Sequence, residues 1–233
     1  MNSLKNQKPL DDWRIALGLI VKELQLYELV KYCPIDIMLS WRIEEIPCGA
    51  FICRQGDICQ KFSLIVSGEV DVFYEVEDGR CYQQARYYKG DMLGELEIFD
   101  SRNYICSVKA VSNVQLLTLQ NADFNRWLEV DNHFNQQMLR FFSRQYYQLS
   151  KKASRDNLYS LCQRVCHTLW QQYQRNRDTK IFLDKQNLSQ ELAATMRSIN
   201  RILHNLKLLK IIDYDGERII LLEPEKLKQK LEK

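Results

Sequence analysis

The sequence predicts an α+β chain: an antiparallel β domain of sandwich or jelly-roll type, then a long helix, then a helix-turn-helix with a β-hairpin wing. Three observations predict it. Six of the eight glycines, Gly49, Gly56, Gly68, Gly79, Gly90 and Gly94, lie about 4–12 residues apart among short β-branched and aromatic runs, the rhythm of strands and tight turns. From Asn121 onward the apolar residues adopt helical spacing. The charge also divides: residues 1–150 carry 16 Lys+Arg against 20 Asp+Glu, whereas residues 151–233 carry 17 against 10. The basic end is where a polyanion would bind, because neutralised phosphates supply most non-specific nucleic-acid affinity.

With 233 residues, 45% hydrophobic and 27% charged, the chain is long enough for two modest globular domains and is neither disordered nor low-complexity in composition. No apolar run approaches the ~20 residues of a membrane span, and Met1 to Asp12 is polar where a signal peptide would be apolar, so a cytoplasmic location and no membrane partner are expected. Candidate strands are Arg42 to Ile46, Ala50 to Cys53, Ser63 to Val66, Glu69 to Val76, Tyr82 to Tyr88, Ser107 to Val111 and Gln115 to Leu119. In the longest, Val70, Val72, Tyr74 and Val76 share one face, and Asp78-Gly79 then supplies a hairpin dipeptide. Seven short strands with such turns fit a sandwich or jelly-roll barrel.

In the long helix, Leu139, Phe142, Tyr146 and Leu149 recur at offsets 0, 3, 7 and 10, and Phe134, Met138 and Phe141 at 0, 4 and 7 on a neighbouring face. Both faces must be buried. One can lie on the β domain and the other on a symmetry mate, which makes Met138, Leu139, Phe142, Tyr146 and Leu149 candidates for a dimer interface; complete burial within one chain is the alternative. The polar stretch Ser150 to Asn157 reads as a hinge, and Asp156 or Asn157 as the N-cap of a helix from Leu158 to about Tyr173.

Two short helices follow, Leu188 to Ala193 and Thr195 to Leu209, then a hairpin from Ile211 to Leu222 around Asp215-Gly216. Leu188 and Leu192 suit an inner face, and Ala193 and Ala194 suit a tight turn between helices. Thr195 can cap the second helix. Its buried stripe is Ile199, Leu203 and Leu206, which leaves Met196, Arg197, Asn200 and Arg201 at the end of a recognition helix that enters a major groove. Arg pairs with guanine and Asn with adenine, so these side chains suit base readout. The competing readings are a solvated helical hairpin and a ligand-binding signalling module whose C-terminal helices contact protein.

The order of these elements, with Gly56-Asp57, Phe62-Ser-Leu-Ile-Val-Ser-Gly-Glu-Val70, Gly90-Asp-Met-Leu-Gly-Glu-Leu96, Ile98-Phe99 and Ser107-Val-Lys-Ala110, resembles the Crp/Fnr superfamily of bacterial transcription regulators. The resemblance implies a cyclic-nucleotide-binding-like β-roll with its N-terminal helix over residues 1–130, a dimerisation helix and hinge over 131–156, and a winged helix-turn-helix over 157–233. It further implies a homodimer on a near-palindromic double-stranded DNA operator, controlled by a small effector or a redox signal in the β-roll domain and with RNA polymerase as a further partner. The family's three base-contacting positions fall on Met196, Arg197 and Arg201. Cyclic-AMP-responsive members carry Arg, Glu and Arg there, so a different operator is implied. Thr195 and Ser198 match small hydroxyl positions that contact phosphates, with Ser189 and Gln190 as weaker candidates for that role.

The same resemblance places an effector pocket around Gly94, Glu95, Leu96, Arg102, Tyr104 and Ile105. In cyclic-nucleotide-binding members the Glu holds the ribose, and an Arg-Ser pair holds the cyclic phosphate. Here Tyr104 and Ile105 stand where Arg and Ser belong, in a segment one residue shorter. The phosphate would enter unpaired unless Arg102 shifted into register. A cyclic nucleotide is therefore not the favoured effector.

Eight cysteines scattered over a chain of this length are expected to stay reduced. Cys33, Cys48, Cys53 and Cys59 are 15, 5 and 6 residues apart, unlike the tight N-terminal group of the iron–sulfur members, so a cluster is not favoured and no metal is expected. Cys162 and Cys166, with His167 beside them, read as small apolar residues of a helix face. There is no glycine-rich phosphate loop, His-Glu-x-x-His motif or activated nucleophile, so no enzyme is expected; Glu97 and Asp100 read as a solvated loop.

Overall fold

The computed structural model describes residues 12–77, 81–215 and 218–231. It divides into two compact units, one holding the chain up to Glu75 with Gln84–Tyr146, the other holding Val76–Gln83 with the chain from Tyr147 on. The expected Asp78-Gly79 turn and Gly216 of the wing turn lie outside the described residues.

The first unit opens with α1 (Asp12–Val21), α2 (Leu24–Val30) and α3 (Ile35–Met38). Next come β1 (Arg42–Ile46), β2 (Phe51–Cys53), β3 (Lys61–Ser67), β4 (Val70–Glu75), β5 (Cys81–Tyr87), β6 (Met92–Leu93), α4 (Glu95–Asp100), β7 (Ser107–Ala110) and β8 (Val114–Gln120). Then α5 (Asn121–Val130) leads into α6 (Asn132–Leu158), which runs on into the second unit. The strands form two four-stranded sheets, ordered β1-β8-β3-β6 and β2-β7-β4-β5, and the described pairings are antiparallel.

Strand β3 shows what holds this unit together. Its alternation sends Phe62, Leu64 and Val66 into a core with Trp41, Phe124, Trp127 and Phe134. Ile65 points the other way, among Leu116, Val70, Val72 and Val108 between the sheets. Phe62 stacks on Phe124 at 4.4 Å between ring centroids, and Trp127 on Phe134. Burying each such ring contributes roughly 1.5–3 kcal/mol.

Gly68 opens the two-residue turn between β3 and β4 at φ +89°, where a Cβ would lie 2.4 Å from the Asn113 carbonyl oxygen and 2.9 Å from Val114 Cα. Both obstacles are backbone and cannot swing aside. Gly68→Ala is expected to cost about 2–4 kcal/mol of stability, from the left-handed φ and the clash together. A urea melt with an unchanged midpoint would refute that expectation.

The second unit contains the end of α6, α7 (Leu161–Asn176), β9 (Lys180–Phe182), α8 (Lys185–Glu191), α9 (Met196–Leu208), β10 (Ile212–Asp215), β11 (Arg218–Leu221) and α10 (Pro224–Gln229). Its core joins Val165 and Leu169 of α7 to Leu188, Ile199, Leu203 and Leu206, and to Ile212, Ile219 and Leu227. The strands form one antiparallel sheet, ordered β10-β11-β9.

The expected hinge is a correction. Ser150 to Asn157 is helical, inside α6, and the break falls after Leu158. The stretch is polar but carries no Gly or Pro, and Lys152 and Asp156 pair at i,i+4. The cap of α7 is neither Asp156 nor Asn157 but Ser160, whose hydroxyl accepts from the Gln163 N–H while the Gln163 side chain accepts from the Ser160 N–H, a capping box.

Candidate nucleic-acid interface and effector pocket

The Asp184 carboxylate caps α8, accepting from the Gln186 and Asn187 amides at 2.9 and 3.1 Å. Leu188 and Leu192 are buried beneath it. The turn follows at once, with Ala193 at φ +48° and the Ala194 N–H donating to the Ser189 carbonyl. Thr195 then caps α9, accepting from the Ser198 N–H at 3.2 Å. Ile199, Ile202, Leu203 and Leu206 face the core.

What remains of α9, up to the exposed Leu208 at its end, is a polar face with one thioether. Met196, Arg197, Asn200 and Arg201 are all exposed, and His204 continues the face one turn on. Among the described residues neither Arg197 nor Arg201 has an ion-pair partner, so both guanidiniums are free for a ligand. The neighbouring Lys207, by contrast, pairs with Asp213 at 2.8 Å. Thr195 and Ser198 lie at the helix start with their hydroxyls 3.0 Å apart, and Gln190 is half-buried. The expectation that Ser189 contacts phosphate meets a competing bond: its hydroxyl donates to the Ala194 carbonyl and stitches the turn.

A half-buried network, which sequence reasoning missed, holds the end of α8 and the turn of this motif. Arg164 of α7 donates to the Leu192 carbonyl at 3.1 Å and lies 3.5 Å from Asp156. Lys152 donates to the Glu191 carbonyl at 3.3 Å, and the Tyr82 hydroxyl donates to Asp156 at 2.6 Å. Burial draws the Lys152 ammonium below its ordinary range. The sequence carries only the Lys152/Asp156 spacing as a sign of it.

In the first unit, Gly94 adopts φ +85° and starts α4, and a Cβ there would lie 2.6 Å from the Lys61 carbonyl oxygen. Glu95 follows and is 4% exposed. Burial pushes its carboxyl up to about 8, against the pull of its own backbone N–H, and Glu97 and Asp91 push the same way. Tyr104 lies beside them with its hydroxyl near Cys59 and 3.5 Å from the Lys61 carbonyl oxygen.

The rest of the expected pocket is corrected. Leu96 and Ile105 point outward, 55% and 60% exposed. The Arg102 side chain stands in solvent beside Asp100, so it has not moved into register with a phosphate. Glu97, read as a solvated loop residue, is buried, and its carboxylate accepts from the Ile105 N–H at 3.2 Å. On α6, Leu139, Tyr146 and Leu149 are exposed, but Met138 is not available to a partner because it sits in the chain's own core with Phe134 and Phe141. Phe142 is half-buried against Phe99. Cys33, Cys53, Cys59, Cys106 and Cys166 are buried free thiols, and Cys48 is exposed. Among the described residues no three His, Cys, Asp or Glu side chains gather to hold a metal, and no helix is long and apolar enough to cross a membrane.

The two units thus define a class: a cyclic-nucleotide-binding-type β domain carried with a winged helix-turn-helix. Comparison with known proteins agrees. Residues 43–131 match the cyclic nucleotide-binding domain, and residues 163–230 the Crp-like helix-turn-helix domain. The chain is 21% identical over 190 residues to the CRP-like cAMP-activated global transcriptional regulator of Mycobacterium tuberculosis, covering 78% of this chain and 85% of that one. It is 22% identical over 205 residues to the anaerobic regulatory protein of Bacillus subtilis, covering 84% and 83%. A cAMP-dependent protein kinase regulatory subunit of Emericella nidulans is 34% identical over 85 residues, but these are 36% of this chain and only 20% of that one. Among solved structures the fold is similar to that of the c-di-GMP-responsive global regulator CLP of Xanthomonas campestris, with a TM-score of 0.68, 17% identity, and coverage of 80% and 97%. A CRP-family transcriptional regulator of Thermus thermophilus gives 0.66 and 17%, with coverage of 82% and 97%. The chain belongs to the Crp/Fnr family of DNA-binding transcription regulators. The relatives that span it are regulators of this kind, so the reading of its C-terminal helices as a protein-contacting module is not favoured.

Proposed function

We propose that the chain acts as a homodimer on a near-palindromic operator, each subunit placing α9 in a major groove, under the control of an effector other than a cyclic nucleotide. The observation that carries the DNA reading is the face of Met196, Arg197, Asn200 and Arg201, exposed and, among the described residues, free of ion pairs at the capped start of a rigidly packed helix. Two-fold symmetry supplies the second helix, and the exposed Leu139, Tyr146 and Leu149 of α6 supply an apolar seam for it.

The effector reading rests on charge. The M. tuberculosis relative is cAMP-activated by name. Among the described residues, burial dominates at Glu95, the charged groups that act on it are the carboxylates Glu97 and Asp91, and Arg102 lies in solvent. A phosphate brought beside Glu95 would gain no cation and would lose its hydration. A neutral or cationic ligand that donates hydrogen bonds to Glu95 is the class that fits.

The test has two arms. Selection from random duplexes should yield an inverted repeat, bound with an affinity that falls steeply as salt rises. Binding without sequence preference would refute the DNA reading. Calorimetric titration with cyclic AMP and cyclic GMP should show no binding in the micromolar range, and micromolar binding of either would refute the effector reading.

A further inference from the structure

The second unit carries a groove of about 550 Å³ between the end of α6, the first turns of α7 and Leu231. That volume lies within the roughly 300–1,000 Å³ of small-molecule sites. The side chains that line it are unusual in combination. Lys151, Arg155, Arg164 and His167 bring nitrogen to it, Tyr147, Leu158 and Tyr159 bring apolar surface, and among the described residues no carboxylate lines it.

The cations are not used up elsewhere. Among the described residues Lys151 and Arg155 have no ion-pair partner, and Lys151 only rests over the Tyr147 ring at 4.6 Å. Arg164 spends Nη1 on Asp156 and the Leu192 carbonyl, while its Nε is buried with no hydrogen-bond partner. The apolar side is equally unspent, with Leu158 80% and Tyr147 58% exposed next to charged groups. Burial and Arg155 both draw the His167 imidazole below its ordinary range, which agrees with a locally positive groove.

We propose that this groove is a second ligand site, separate from the β-roll, for a small organic anion: a carboxylate, sulfonate or phosphate carried on an aromatic or aliphatic body. The anion lies among Lys151, Arg155 and Arg164, and the body on Tyr147 and Leu158. The proposal is independent of operator binding and of the β-roll effector.

The probe is 8-anilinonaphthalene-1-sulfonate, an aromatic anion, with the uncharged N-phenyl-1-naphthylamine as its partner of like shape, each titrated by fluorescence into the full chain. The expected result is one sulfonate site per chain that weakens at least about tenfold in Lys151→Ala/Arg155→Ala and further in Arg155→Glu. The neutral probe should bind parent and charge variants alike, and Leu158→Asp should weaken both probes. Both alanines stand on a helix surface that favours them, so the variant folds, as circular dichroism will verify. Sulfonate affinity unchanged in the double variant would overturn the proposal. So would probe binding that vanishes as the chain dimerises with rising concentration, since a second copy would then fill the groove.

Discussion

Arg201→Ala will bind the selected operator roughly 10- to 100-fold more weakly than the parent chain, because a bidentate guanidinium on a base edge is worth about 1–3 kcal/mol. The side chain is on the exposed face of α9, one helical turn beyond Arg197, and among the described residues it has no ion-pair partner. Its loss should act on readout more than on general attraction. Affinity for unrelated duplex should fall little, and repeated selection with the variant should return sites with one relaxed position in each half-site. Fluorescence anisotropy on matched and mismatched duplexes separates the two effects. Equal weakening on all sequences would make Arg201 a phosphate contact, and no weakening would remove it from the interface. Met196 sharpens the comparison. An exposed thioether at the first position of the helix offers a base edge only apolar contact, which suits a thymine methyl, so the two positions should prefer different bases.

How much of this was legible in the sequence varied with the physical cause. The long helix was legible on two of its faces because burial follows 3.6-residue spacing: Phe134, Met138 and Phe141 are buried, and Leu139, Tyr146 and Leu149 are exposed. Met138 was misassigned to the partner although its spacing already placed it with Phe134. Gly68, Gly90 and Gly94 all take positive φ, which is why glycine punctuation located the strands. Strand β3 was read too short because both of its faces are buried and its ends carry polar residues. The hinge was misread because polarity alone does not break a helix. Tight packing of a short loop, which turns Tyr104 inward and Arg102 outward, has no periodic trace at all. The same holds for the Tyr82, Asp156 and Arg164 network, whose members are 74 and 8 residues apart and meet only through tertiary structure.

The buried carboxyl of Glu95 leads to the other large effect. Its folded-state value of about 8 stands above the unfolded value of 4.5, so between these limits the folded chain holds a proton that the unfolded chain has released. Stability must therefore fall as pH rises through this window, by up to about 1.4 kcal/mol per pH unit. Glu95→Gln keeps the shape and removes the ionisation. The variant should match the parent near pH 4, below the unfolded value, and exceed it near pH 8 by on the order of 4 kcal/mol. His167 works in the opposite sense, since its lowered value makes stability rise with pH below its unfolded value of 6.5, but it is common to both proteins and drops out of the difference. Urea midpoints for parent and variant at the two pH values measure that difference directly, and parallel pH profiles would show that Glu95 ionises freely in the fold. The same experiment bears on the effector. A ligand that donates to the Glu95 carboxylate stabilises its charged form, so it should flatten the parent's decline with pH and leave the variant unchanged. A cyclic phosphate without a cation beside it would raise the folded value further and extend the decline above pH 8 instead.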